Sequence, residues 1–71
     1  MTTEQSRVRL NGDAVDLPRG ATLADAVARV AAETAGIAVA LNGEVAPRAR
    51  WESITLGDGD VVDVVTAKQG G

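Results

Sequence analysis

Arg7-Val8-Arg9-Leu10-Asn11-Gly12-Asp13-Ala14-Val15-Asp16-Leu17 is the stretch from which the fold can be read. Polar and apolar residues alternate through 7–10 and again through 15–17, the period of a strand with one face buried. Between the two runs stands Asn11-Gly12, a pair that accepts the positive φ angles of a two-residue hairpin turn. The stretch predicts a β-hairpin over 7–17 with Val8, Leu10, Val15 and Leu17 on its inner face. Asn11-Gly12-Asp13 also admits a reading as a phosphate-binding turn, but the hairpin is the simpler one. Upstream, residues 1–6 are polar and are expected to fray. Downstream, Pro18 and Gly20 end the hairpin.

A helix is predicted next. Thr22 suits an N-cap, and Asp25 three residues on places a carboxylate in the first turn, near the positive end of the helix dipole. The run 23–35 is rich in Ala, the best helix former. Leu23, Ala26, Val27, Val30 and Ala31 fall on one apolar stripe. Arg29 and Glu33 stand four apart, a spacing that predicts a weak pair on the outer side. Gly36 suits the left-handed position that closes a helix.

The remainder is strand-like. Residues 37–41 are an unbroken apolar run between Gly36 and Asn42-Gly43, which predicts a strand with both faces covered or nearly so. Ile37, Val39 and Leu41 share one face, and Ala38 and Ala40 share the other. Glu44-Val45 is a short strand. A loop opens at Pro47-Arg48 and runs through Trp51; Ile54-Thr55-Leu56 is a short apolar segment. Gly57-Asp58-Gly59-Asp60 is a turn cluster. It resembles part of a calcium loop but lacks the further spaced acids of a twelve-residue site. Residues 61–66 form the last strand, with Val62 and Val64 inward and Val61, Asp63 and Val65 on the other side.

Hairpin, helix, strand, short strand and strand, in that order, predict an α+β fold: a mixed sheet of four to five strands packed on one helix. Pairing the first and last strands in parallel at the sheet centre is the β-grasp arrangement. One helix covers one face only. The other face, with Ala38, Ala40, Val61 and Val65, is then partly exposed and is a candidate partner surface. Asp58, Asp60 and Asp63 form a solvated acidic surface or a docking patch for basic residues of a partner. Trp51 is expected in the core or over its edge, with stacking on a substrate the lesser alternative. Arg48 and Arg50 are solvated or touch a partner.

Composition narrows the chemistry. Seventy-one residues make one domain at most, expected over 1–66 with a flexible tail over 67–71. There is no Cys and no His. A thiolate nucleophile, a Cys-type zinc site and the usual acid–base group near neutral pH are therefore all missing, which argues against an independent enzyme or a resident metal. The net charge is −3 and Trp51 is the one aromatic residue. There is no basic stripe and no stacking platform, so nucleic acid is not an expected partner. No apolar run approaches the ~20 residues of a membrane span, and the amino terminus does not suit a signal peptide. A cytoplasmic monomer is expected.

That leaves Gly70-Gly71. Two glycines at a terminal carboxylate leave its carbonyl unshielded, on a backbone free to take almost any conformation. Ala67-Lys68-Gln69-Gly70-Gly71 spans at most about 17 Å when extended, enough to carry Gly71 into a partner's cleft with Lys68, Gln69 and Gly70 threading behind it.

Leu41-Asn42-Gly43-Glu44-Val45-Ala46-Pro47-Arg48, then Trp51, then Leu56-Gly57-Asp58-Gly59-Asp60-Val61-Val62-Asp63-Val64-Val65, and finally Gln69-Gly70-Gly71 together resemble the ThiS family, the sulfur carriers of thiamine biosynthesis. Leu10-Asn11-Gly12 shares the likeness, which spans nearly everything beyond residues 1–6. The resemblance implies a ubiquitin-like β-grasp fold with no bound cofactor. It implies a ThiF-like adenylyltransferase that uses ATP and magnesium to convert the Gly71 carboxylate to an acyl-adenylate. It further implies a cysteine desulfurase or other persulfide donor that leaves a Gly71 thiocarboxylate, and the thiazole synthase ThiG that takes the sulfur. Two alternatives keep the activated terminus: a carrier like the small subunit of molybdopterin synthase, and a ubiquitin-like protein modifier. A plain interaction module with an idle tail is the third.

Overall fold

The computed structural model describes residues 4–31 and 36–66. Five strands form one mixed sheet: β1 (Gln5–Leu10), β2 (Asp13–Pro18), β3 (Ile37–Leu41), β4 (Glu44–Val45) and β5 (Val61–Thr66). Their spatial order is β2-β1-β5-β3-β4. β1 and β5 run parallel, and every other pairing is antiparallel. The expected central pairing of first and last strands is thus the observed one.

The Asn-Gly turns act as their chemistry dictates. Asn11 and Gly12 have φ of 52° and 90°, and Asn42 and Gly43 have 53° and 87°. Both residues of each turn lie in the left-handed region, which gives the twist that two-residue hairpins share with their strands. β1 begins at Gln5, earlier than the fraying expected of residues 1–6. Gln5 pairs with Pro18, Ser6 lies buried opposite Leu17, and Glu4 is joined to Arg19 by a 2.8 Å ion pair. The β2 partner therefore extends the hairpin by two residues.

α1 (Leu23–Val30) starts on a capping box. Thr22 Oγ1 accepts from the Asp25 backbone N–H, while the Asp25 carboxylate accepts from the Thr22 N–H at 2.9 Å. Leu23, Ala26 and Val27 are buried as the stripe predicts. The helix is shorter than the run 23–35, because Ala31 is already extended and packs back on the core. Val30 is left 46% exposed, contrary to the stripe. Gly36 does have a positive φ of 75°, but six residues past the end of α1 it leads into β3 rather than capping the helix. The Arg29–Glu33 pair involves a residue outside the described ones.

The expected loop at 47–51 is instead a 3-10 helix, Arg48–Ser53. Pro47 supplies the first carbonyl, accepting from the Arg50 N–H at 2.8 Å. The tight coil swings Trp51 inward, where it is 4% exposed and its indole N–H donates to the Ala46 carbonyl at 2.9 Å. The segment 54–56 is anchored to the helix entry. Leu23 N–H donates to the Ile54 carbonyl and Leu56 N–H to the Ala21 carbonyl, at 2.8 and 2.9 Å. Val8, Leu10, Leu17, Leu23, Val39 and Val62 fill the core between α1 and the sheet. Apart from Trp51, the core is packed from aliphatic side chains alone.

Candidate functional site

β5 carries the chain toward Gly71, and both of its neighbours clamp it. Asn42 Oδ1 accepts from the Val61 N–H at 2.9 Å, and Asn42 Nδ2 donates to Asp60 at 3.1 Å. Asn11 Oδ1 accepts from the Val64 N–H at 2.7 Å. The same two asparagines that turn the hairpins therefore satisfy backbone donors of the central strand where its neighbours turn away. Sequence reasoning found the turns and missed this second role. β1 pairs with β5 only at Arg9–Val61 and Leu10–Val62, whereas β3 follows β5 out to Thr66. Among the described residues the far end of β5 is thus flanked by β3 alone and projects past the first hairpin. Lys68, Gln69, Gly70 and Gly71, the predicted tail residues, lie outside the described residues.

The proposed partner face is the sheet surface turned away from α1. The structure brings its residues together. Ala38 stands opposite Val65, Ala40 stands opposite Asp63, and Val61 stands opposite Arg9. Ala38, Ala40 and Val61 are half-buried, and Val65 is 58% exposed. Val45 joins them. It pairs with Ala40 across the Asn42-Gly43 turn and is 78% exposed, the most open of the large apolar residues among the described ones. A two-residue turn after Leu41 places Val45 on the Ala40 face by register alone, so that signal was available in the sequence.

The charges around this face divide sharply. Asp58 accepts from the Arg7 backbone N–H at 2.7 Å, and Asp60 accepts from the Gly57 N–H at 2.8 Å. These two carboxylates build the turn that launches β5; they are not a free acidic patch. Arg7 holds Asp16 through two hydrogen bonds of 2.8 and 3.1 Å. That hydrogen bonding, aided by the positive charge, keeps the Asp16 carboxyl below its ordinary range and raises the Arg7 guanidinium. Asp63 is exposed and has no ion pair among the described residues.

On the opposite side, a concavity of about 680 Å³ opens between α1 and the 3-10 helix. Ala24, Ala28, Ala49 and Trp51 line it, with Arg48 and Glu52 at its rim. Its walls present small apolar groups and one isolated charge of each sign, with no convergent pair for acid–base chemistry. Arg50 lies on the exposed side of the 3-10 helix. Among the described residues no group of three or more Asp or Glu is placed to hold a metal ion, and no helix is long and apolar enough to cross a membrane.

The family model that matches the chain is that of the ThiS family, over residues 8–71. Among solved structures, the chain is similar to the thiamine biosynthesis protein ThiS of Geobacter metallireducens. The TM-score is 0.74 and the identity 28%, covering 92% of this chain and 99% of that one. No curated protein matches the chain.

Proposed function

We propose the function from one premise: the chain belongs to the ThiS family. It carries sulfur for the thiazole half of thiamine, and the carrying atom is the terminal carbonyl carbon of Gly71. The supporting observation is that the family match runs to residue 71 and so takes in Gly70-Gly71. The chemistry of the chain agrees. With no Cys, it holds no thiol on which to keep a persulfide, so sulfur must ride on an acyl group.

A carboxylate is a poor acyl donor and needs activation. In the proposed cycle, a ThiF-like adenylyltransferase uses ATP and magnesium. A Gly71 carboxylate oxygen attacks the α-phosphorus, the bond to the β-phosphate breaks, and pyrophosphate leaves. The terminal sulfur of a persulfide, charged by a cysteine desulfurase, then attacks the acyl carbon and AMP leaves. A second thiol cleaves the resulting acyl disulfide, and the thiocarboxylate is released for ThiG. Gly71 has no Cβ to obstruct the attack, and Gly70 lets the backbone enter a narrow channel. The catalytic groups belong to the partners, and the chain is a cytoplasmic substrate protein, not an enzyme. The outer sheet face, with Ala38, Ala40, Val61 and Val65, is its docking surface.

The test is intact-mass spectrometry after incubation with the adenylating enzyme, ATP and a persulfide source. The full chain gains the mass of an oxygen-to-sulfur exchange, and a chain lacking Gly71 does not. An unchanged mass for the full chain refutes the function.

A further inference from the structure

The outer face carries one feature that a simple apolar docking surface does not need, and its interpretation rests on the carrier function just proposed. Asp63 sits inside the patch. Val61 and Val65 flank it two residues away along β5, and Ala40 stands opposite it on β3 with Val45 beyond on β4. Asp63 is exposed, and among the described residues no cation lies within 4.0 Å of it. Arg9, the cation nearest in register, turns its guanidinium to the Gly12 carbonyl, to which it donates at 3.1 Å, and makes no ion pair with Asp63. Arg7 is held by Asp16.

We propose that Asp63 determines which protein docks on this face: it meets a single Arg or Lys set in an apolar surface of the adenylating enzyme. An uncharged patch accepts any apolar surface of similar shape. A carboxylate within it changes the discrimination, because covering it without an opposite charge strips its water for no return. Partners lacking the cation are thereby rejected.

The enzyme is identified by the recognition problem it faces. A carboxyl terminus is common to every protein, and a tail ending in two glycines offers few side chains to read. The enzyme that activates this terminus must therefore recognise the folded body. A sulfur acceptor meets a thiocarboxylate, a group distinctive enough to be recognised by itself. Geometry puts that recognition here. Val65 lies one residue before Thr66, and the five residues beyond reach at most about 17 Å. An enzyme that takes the terminus into its active site therefore covers the end of β5 and the patch around it.

ATP–pyrophosphate exchange by the adenylating enzyme of the same cell, with the full-length chain as varied substrate, tests the assignment. Asp63→Lys raises KM at least about ten-fold while kcat stays within about two-fold, the pattern of lost ground-state docking. Asp63→Asn keeps the shape, raises KM by about three- to ten-fold and weakens its dependence on salt. It also preserves the test if the lysine variant fails to fold, which circular dichroism reveals. Arg29→Glu, a charge reversal on the exposed side of α1, leaves KM unchanged. A KM within about two-fold of the parent for both folded Asp63 variants overturns the assignment. So does an equal rise for Arg29→Glu, or a loss confined to binding of the sulfur acceptor. If the unsubstituted chain supports no exchange, the carrier function itself fails, a result distinct from any of these.

Discussion

Val45 and Val65 offer the sharpest measure of how much the outer face contributes to partner binding. Fully burying an exposed valine stabilises by roughly 1.5–3 kcal/mol. Val45 keeps 78% and Val65 58% of its accessible surface in the free chain. Covering both with a partner therefore recovers a little more than one whole valine, or about 2–4 kcal/mol. The double substitution Val45→Thr/Val65→Thr preserves shape and strand preference and exchanges one methyl for a hydroxyl at each position. Each exchange forfeits about 0.8 kcal/mol of transfer energy and adds roughly 1 kcal/mol for a hydroxyl covered without a partner. Reduced in proportion to the surface open at each site, the total is about 2 kcal/mol, some 30-fold in Kd. Isothermal titration calorimetry against the adenylating enzyme at fixed salt reads the change directly, with a less negative heat capacity of binding as its signature. Both residues are exposed, so the stability of the free chain stays within about 0.5 kcal/mol. An affinity within about three-fold of the parent, in a variant that melts normally, refutes the reasoning, because no partner then covers these valines.

Three further outcomes test the scaffold. Trp51→Phe leaves the buried Ala46 carbonyl without its 2.9 Å indole donor; it costs about 1–3 kcal/mol, read as a fall in melting temperature of about 4–8 °C per kcal/mol. Thr22→Ala removes the acceptor for the Asp25 N–H and costs about 1 kcal/mol in denaturant titration, with the Asp25 carboxylate still bonded to the residue 22 N–H. Asp16, held below its ordinary value of 3.8 by Arg7, contributes stability that is present in full above that value and is lost as pH falls through the lower folded-state value. Asp16→Asn therefore flattens the acid limb of a stability–pH curve below about pH 4 and leaves the neutral region nearly unmoved, since both partners are open to solvent and screened.

Much of the fold was legible because it is written in local rules. Alternation and Asn-Gly turns identify both hairpins, Thr22 and Asp25 identify the start of α1, and the inward choice of Val62 and Val64 follows from Asp63 facing water. The failures share a cause. The end of α1, the 3-10 coil at Arg48–Ser53 and the ordering of Gln5 and Ser6 are each decided by packing against a distant segment. Ala31 turns back to the core, Trp51 reaches the Ala46 carbonyl, and β2 extends β1. Local propensity carries no term for such partners.

The site divides along the same line. The sequence by itself narrowed the chemistry: without Cys or His the chain has neither a thiolate nor an imidazole, and the proposed carrier site is Gly70-Gly71. It also determined that a β-sheet would expose one apolar face. Only the tertiary structure decided how that expected face is assembled: the register of β5 with β3 sets Val65 against Ala38 and Asp63 against Ala40, and the pairing of β4 brings Val45 beside Ala40. It decided, too, that Asp58 and Asp60 are consumed in a turn while Asp63 is left in the open. Three aspartates within six positions look alike in a sequence. What separates them is which backbone donors the fold brings within reach, and those donors come from residues up to 51 positions away.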